Sequence, residues 1–217
     1  AFYMDYENVQ VFEFDGAIFV QSLFNIPESE ITGFEASFDW AATETLTLSG
    51  GLGILDSEIK KFDQDVTDRL ESELVARTSN TVKLTPDSQR AFDNNFEGNK
   101  LVKFPHTSAN LSLLWEVPLS LFGGSTLVTL VDYSMTDERY WWIDNTDEQD
   151  RVNLFAASIA LQFSDNLEAA LWCKNCTDEN YDSAVEPSEM VLFGGPAKDV
   201  YYQARERMYG LKINFTF

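Results

Sequence analysis

The chain has 217 residues, a formal net charge of −21 and two cysteines. This charge disfavours a nucleic-acid partner, whose phosphates need lysine and arginine, and two cysteines cannot build a disulfide framework. No run approaches the roughly 18 apolar residues of a transmembrane helix, which excludes a helical membrane protein but leaves a membrane β-barrel possible, because lumen residues dilute the lipid-facing ones in its hydropathy signal.

The first part of the chain predicts three strands. Residues 1–13 are rich in aromatic and β-branched residues. They read as the middle of a strand and not as a signal peptide, so we expect a piece of a longer protein. After a tight turn at Asp15, an extended run over 17–40 is interrupted near Pro27. Residues 46–54 then alternate between large and small side chains.

The rest of the chain predicts five more strands and ends on an aromatic residue. Alternation resumes over 109–117, 127–135, 153–163, 167–173 and 209–217. In the last stretch every second residue is large and apolar: Tyr209, Leu211, Ile213, Phe215 and Phe217. A strand with one such face suits the closure of a barrel in lipid, so these residues are the predicted closure and assembly signal.

Long and short connections alternate along these strands. The long ones cover 57–99, 140–150 and 175–203. The short ones cover 41–45, 120–124 and 164–166. Transmembrane barrels show this asymmetry, with short periplasmic turns and long extracellular loops. The pattern predicts an all-β, antiparallel, up-and-down transmembrane β-barrel, of which about eight strands are present.

The alternation also assigns the two faces of the predicted sheet. The predicted lumen face is polar and includes Glu35, Asp39, Glu116, Asp132, Glu168, Trp172, Lys174, Lys212 and Asn214. Aromatic residues near the short turns indicate a periplasmic girdle: Trp40, Trp115, Phe122, Phe163, Phe215 and Phe217. No nucleophile, base and orienting group can be assembled from the polar face, so no catalytic residue is predicted.

Four stretches resemble the TonB-dependent outer-membrane receptors, in the order of that family. Residues 1–10 are similar to its aromatic FY-x-DY-x-x-xQ strand, and 30–35 to its I-x-GFE strand. Residues 172–181 resemble its V-x-N-L-T-D-x-x-Y segment, although Cys173 and Cys176 stand where the family usually has aliphatic residues. Arg207-Met208-Tyr209-Gly210 and the final Phe217 resemble its closing R-x-YG…F, although Glu206 stands where proline is common.

The resemblance implies a barrel of roughly 22 strands with a plugged lumen. Residues 1–217 would be its C-terminal part, with the plug, the N-terminal strands and the TonB-contacting box absent. The implied function is active import of a scarce, bulky nutrient across a Gram-negative outer membrane, such as a ferric siderophore, cobalamin or an oligosaccharide. The implied partners are outer-membrane lipid, the substrate and the TonB complex acting through the plug. No enzyme activity and no cofactor are expected.

Two other hypotheses fit parts of the pattern. One is an autonomous eight-stranded outer-membrane barrel with a structural or adhesive role, since eight strands can close and side chains then fill the interior. The other is a soluble β-sandwich that binds a ligand. Extraction distinguishes this soluble module from a membrane barrel, because a soluble module leaves the membrane in salt or carbonate whereas a barrel needs detergent.

One long connection carries the candidate substrate-binding residues. Tyr140, Trp141, Trp142 and Asn145 stand at a predicted extracellular tip, where amphipathic aromatic residues can stack on a ligand. The same residues would also suit an outer aromatic girdle or packing within the loop. The sequence leaves both interpretations open.

The remaining candidates indicate structure more than chemistry. Cys173 and Cys176 have CxxC spacing, which leaves apolar packing, a local disulfide or a metal site open; their strand spacing disfavours a disulfide unless the chain turns there. His106 is the only histidine, so catalysis or a metal triad there is not expected. The acidic loop over 57–99, with a possible helix over 66–76, lacks the spacing of a calcium-binding loop and reads as a solvated surface.

Overall fold

The computed structural model describes residues 1–15, 20–69, 93–121, 124–143, 145, 147–186 and 200–216. Its strands are β1 (Phe2–Asp15), β2 (Val20–Ala41), β3 (Leu46–Lys61), β4 (Thr107–Leu119), β5 (Ser125–Thr136), β6 (Arg139–Tyr140), β7 (Glu148–Gln149), β8 (Val152–Ser164), β9 (Leu167–Lys174), β10 (Asp182–Glu186), β11 (Val200–Gln203) and β12 (Met208–Phe215). A short helical segment covers 64–69. The rest of the helix predicted over 66–76 lies outside the described residues.

Eight of these strands form one antiparallel meander. The order in the sheet is β1-β2-β3-β4-β5-β8-β9-β12, so every long strand pairs with its neighbours along the chain. The small hairpins β6-β7 and β10-β11 lie within the connections that were predicted as long loops. The predicted all-β, up-and-down arrangement of about eight strands is therefore confirmed.

The connections sort to the two ends of the sheet as predicted. Three short turns follow β2, β4 and β8, whereas the long connections follow β3, β5 and β9. The β3 strand continues to Lys61, so the first long loop begins later than predicted. The hairpin between β1 and β2 turns at the long-loop end, and its tip over 16–19 lies outside the described residues.

Pro27 does not break β2, in contrast to the predicted interruption. Its partner position on β1 is Asn8, and neither residue is paired in the ladder between the two strands. Asn8 has a positive φ of 58°, and the register towards β3 shifts between Glu28 and Ser29. Proline has no N–H to donate to a ladder. The strand therefore continues through Pro27 with one unpaired position and a local shift of register.

One face of the sheet is apolar over much of the length of its strands. On β3 the apolar positions run from Leu46 to Ile54, and the same face turns acidic at Asp56. Directly opposed residues share a face, so the pairs Leu48↔Leu113 and Leu211↔Leu171 belong to the same surface. This stretch of about nine residues matches the 9–11 residues of a transmembrane β-strand.

The opposite face carries the polar residues that were predicted for the lumen. Asp39 is paired with Ser49, which is paired in turn with Ser112 and then Asp132. The Ser112 hydroxyl donates to the Asp132 carboxylate at 2.6 Å. Near the short-turn end, Asn214 donates to Glu168 at 2.8 Å. The predicted polar face is thus a continuous surface across the strands.

A buried hydrophobic core lies at the long-loop end. Its members are Phe24, Ile26, Ile31, Ile59, Phe62, Phe96 and Leu101. The rings of Phe62 and Phe96 meet edge to face with centroids 5.1 Å apart. This core joins the extended ends of β2 and β3 to the segment over 93–101, so the described part of the first long loop is packed against the sheet.

The sheet is open along two edges. Within the residues that the structure describes, β1 and β12 each pair on one side only, and no ladder joins them. The autonomous eight-stranded barrel required these strands to close on each other. Among the described residues, no helix is long and apolar enough to cross a membrane.

Candidate functional site

The hairpin β6-β7 carries the four candidate substrate-binding residues. Tyr140 is paired with Glu148 across the hairpin and is half-buried, as are Trp142 and Asn145. Trp141 is buried, with 5% of its surface exposed. The structure therefore brings the four residues together at the long-loop end of the sheet, in different degrees of burial.

Asn145 is held by the backbone of a separate segment. Its carboxamide accepts a hydrogen bond from the Lys100 N–H at 2.7 Å and donates to the Lys100 carbonyl at 3.1 Å. It also donates to the Trp142 carbonyl at 3.2 Å. Its φ of 57° is left-handed, a conformation that asparagine adopts more readily than most residues. The Asn145 side chain thus fixes the hairpin to the first long loop.

The two tryptophans of the hairpin have different surroundings. The Arg139 guanidinium lies over the Trp141 ring, 5.3 Å from its centroid, and the backbone N–H of Trp141 donates to the Asp147 carbonyl at 2.9 Å. The indole N–H of Trp142 is buried and meets no acceptor among the described residues. Trp141 therefore acts as a packing residue, whereas Trp142 retains an unused donor.

The third long loop contacts the same hairpin. The buried Gln149 accepts a hydrogen bond from the Asp182 N–H at 2.9 Å, and the Tyr201 hydroxyl donates to the Asp147 carboxylate at 3.3 Å. Tyr201 and its neighbour Tyr202 lie on β11 and are about half exposed. Aromatic surface from two loops therefore lies near the candidate residues.

Cys173 and Cys176 form a disulfide, with Cα atoms 5.5 Å apart. The exception that the strand spacing allows applies here, because the chain turns out of β9 at Asn175, where φ is 48°. The Asn175 carboxamide donates to the carbonyls of Glu179 and Arg205, at 2.9 and 3.3 Å. The disulfide and Asn175 together hold the base of the third loop.

An ion pair joins the residue after the end of β5 to the residue before the start of β8. Arg151 contacts the Asp137 carboxylate at 2.8 Å. Burial raises the pKa of Asp137, but the hydrogen bonds from Arg151 and from the Glu138 backbone outweigh it, so this pKa lies below its ordinary value. The Asp137 hydrogen bond correspondingly raises the pKa of Arg151. Both groups are charged at neutral pH.

The other candidates are His106 and the acidic loop. His106 Nδ1 lies 2.8 Å from the Leu55 carbonyl, within a backbone contact between β3 and the chain before β4. Among the described residues, no group of three or more histidine, cysteine or acidic side chains is placed to hold a metal ion. Most of the acidic loop lies outside the described residues, at 70–92.

The predicted closure strand presents its apolar side chains outwards. Tyr209, Leu211, Ile213 and Phe215 are each at least 60% exposed, as lipid-facing side chains are in an isolated chain. Phe217 lies outside the described residues. Of the predicted girdle, Trp40 and Trp115 are also exposed on this face, whereas Phe122 is not described.

The sequence reasoning missed the left-handed asparagines of the loops. Asn95, like Asn145 and Asn175, has a positive φ, of 55°, and its carboxamide donates to the Phe62 carbonyl at 2.9 Å. Asparagine is frequent in turns because its side chain bonds nearby backbone. This signal could have marked the positions, but it does not identify their partners.

The family profile described as TonB dependent receptor-like, beta-barrel matches residues 1–176, well over half of the chain. The chain belongs to the TonB-dependent receptor family. The predicted family is thereby confirmed, and so is the barrel fold class, in place of a soluble sandwich. TonB-dependent receptors are transport receptors and not enzymes. No curated protein sequence matches the chain significantly.

Three solved structures have a similar fold. The ferric yersiniabactin uptake receptor FyuA from Yersinia pestis has a TM-score of 0.69 at 15% identity, covering 99% of this chain and 26% of that one. The siderophore receptor PiuA from Acinetobacter baumannii has a TM-score of 0.62 at 20% identity, covering 98% and 25%. The copper transporter OprC has a TM-score of 0.59 at 13% identity, covering 99% and 28%. The chain spans about a quarter of the length of these structures.

Proposed function

We propose that the chain is the C-terminal part of the barrel of an outer-membrane receptor in a Gram-negative cell. The complete barrel would have roughly 22 strands, and the plug and the first strands would lie in the remainder of the protein. The observation that carries the proposal is the family match over 1–176. The open edges of β1 and β12 support it, because each edge has backbone groups that need a further strand.

The proposed activity is active import of a scarce, bulky nutrient. Outer-membrane lipid would cover the apolar face, and the TonB complex would supply energy through the plug. The substrate classes are a ferric siderophore, cobalamin or an oligosaccharide. The similar structures are named a ferric yersiniabactin uptake receptor, a siderophore receptor and a copper transporter, which favours a metal chelate among these classes.

The proposed substrate contacts are Tyr140, Trp141, Trp142 and Asn145. Trp142 is half-buried, and its buried indole N–H meets no acceptor among the described residues. Its ring can stack on a ligand. Trp141 and Asn145 would contribute by holding the hairpin, since one is buried and the other is bonded to Lys100. Trp142 is therefore the residue whose replacement tests direct contact.

The uptake experiment compares cells that produce the full-length receptor with cells that lack it. Cells are supplied separately with radioactive ferric siderophores, radioactive cyanocobalamin and fluorescent oligosaccharides, in the presence and absence of TonB. We expect receptor- and TonB-dependent accumulation of one class. Trp142→Ala should weaken that uptake by roughly tenfold, the scale of a stacking contact, while Trp172→Phe on the polar face should not. TonB-independent accumulation of every class tested would contradict the proposal.

A further inference from the structure

Two separate loops meet at Asn145. The segment over 99–103 belongs to the first long connection, and the segment over 139–149 contains the β6-β7 hairpin. The Asn145 carboxamide uses both its acceptor and its donor on the Lys100 backbone, at 2.7 and 3.1 Å. A side chain that bonds both backbone groups of one residue imitates a neighbouring strand, so it adds a ladder-like contact between the two segments.

Two further hydrogen bonds join the same segments. The Lys103 N–H donates to the Tyr140 carbonyl at 2.8 Å, and the Asn99 carboxamide donates to the Ile143 carbonyl at 2.8 Å. Below them, Ile143 packs against the core that contains Leu101. The contacts therefore continue from the hairpin through 99–103 to the buried core at the ends of β2 and β3.

We propose that Asn145 is a positioning residue that joins 99–103 and 139–149 into one cooperative unit. Each hydrogen bond alone contributes little net stability, and loops with few buried contacts open independently. With the carboxamide bridge in place, neither segment opens without releasing the other. A ligand that contacts the hairpin would then order the 99–103 segment as well. The coupling itself does not depend on the identity of the transported solute.

Hydrogen exchange of the full-length receptor in detergent, read at single residues and without any ligand, tests the coupling. The variant is Asn145→Gly, because glycine keeps the left-handed backbone and removes only the carboxamide. The Lys100 amide loses its acceptor directly. The Lys103 and Trp141 amides keep their own acceptors, the carbonyls of Tyr140 and Asp147. We expect all three amides to exchange roughly tenfold faster or more, as the loss of about two hydrogen bonds implies.

The matched control is Asn166→Gly at the opposite end of the sheet. It removes a comparable bond, from the Asn166 carboxamide to the Thr216 carbonyl at 2.9 Å, and should leave the exchange of Lys103 and Trp141 unchanged. Faster exchange at Lys100 alone in the Asn145→Gly protein would overturn the proposal.

The unmodified receptor provides an independent test that needs no variant. If the two segments open together, the amides of Lys103 and Trp141 have the same opening free energy and respond equally to added urea. Distinct free energies with distinct urea dependences would overturn the cooperative unit. Because no substrate is present in either experiment, both outcomes are independent of whether transport is later detected.

Discussion

Gly210 lies directly beneath the indole ring of Trp172, its partner on the neighbouring strand. A Cβ atom built on Gly210 would be 2.7 Å from Trp172 Cζ2 and 2.9 Å from Cε2, which is closer than side-chain atoms approach. Because Gly210 has no side chain, the Trp172 ring has room on the polar face of the sheet. Trp172 is the only aromatic residue of β9.

We predict that Gly210→Val destabilises the folded barrel. The Trp172 ring has to leave its position, and overpacking of this kind costs about 1–3 kcal/mol. The measurement is the urea midpoint of the full-length protein in detergent. Gly53→Ala is the control, because its added Cβ meets only the Ser108 hydroxyl, at 3.1 Å. Equal midpoints for the two variants would show that the contact does not restrict the strand.

The two faces of β12 predict opposite responses to the same new residue. Leu211→Arg places a charge on the apolar face and should cost about 2–4 kcal/mol if the position lies near the bilayer centre. Lys212→Arg places the same side chain on the polar face and should be close to neutral. The measurement is the folded fraction after assembly into lipid vesicles. A comparable loss for both variants would contradict the assignment of the lipid face.

The Asp137–Arg151 pair predicts a loss of stability in acid. The folded pKa of Asp137 lies below its ordinary value of 3.8, so the pair stabilises the protein above that value. The contribution is lost as the pH falls through the lowered pKa. Asp137→Asn should remove roughly 1–2 kcal/mol at neutral pH and flatten this part of the pH dependence. The check is the urea midpoint from neutral pH to about pH 3. An unchanged acid dependence in the variant would assign it to other carboxylates.

The disulfide predicts a local effect when it is removed. A bond that closes so short a loop contributes about 2 kcal/mol in the chain-entropy account. Replacing both Cys173 and Cys176 with serine should therefore loosen the base of the third loop without unfolding the sheet. Exchange of the Cys176 amide, bonded to the Phe155 carbonyl at 2.8 Å, reports the loosening. Alkylation of both thiols in the native protein before any reductant is added would show that the bond is absent.

The strands and their faces were predictable because they depend on neighbouring residues. The period of two in 209–217 identifies β12 and its apolar face, and the short turns fix which strands are adjacent. The core of Phe62 and Phe96 was not predictable from these patterns, because it joins a strand end to a loop segment far along the chain.

The candidate site was predictable only in part. The aromatic residues 140–142 mark the loop by composition, and the structure brings them together with Asn145. The role of Asn145 depends on Lys100, 45 residues away, and no local pattern contains that information. The Cys173–Cys176 bond could not be decided either, because it requires the turn that Asn175 makes at the end of β9.

The intact mass of the native protein, extracted from outer membranes with detergent and detected through peptides of this sequence, tests the central claim most directly. The 217 residues weigh 24.6 kDa and span 26% of the FyuA chain, so the account predicts a species about four times heavier (24.6/0.26, or roughly 95 kDa). It should resist extraction by salt or carbonate. A native species of 24.6 kDa, or one released by carbonate, would contradict the claim that the chain is part of a larger outer-membrane receptor.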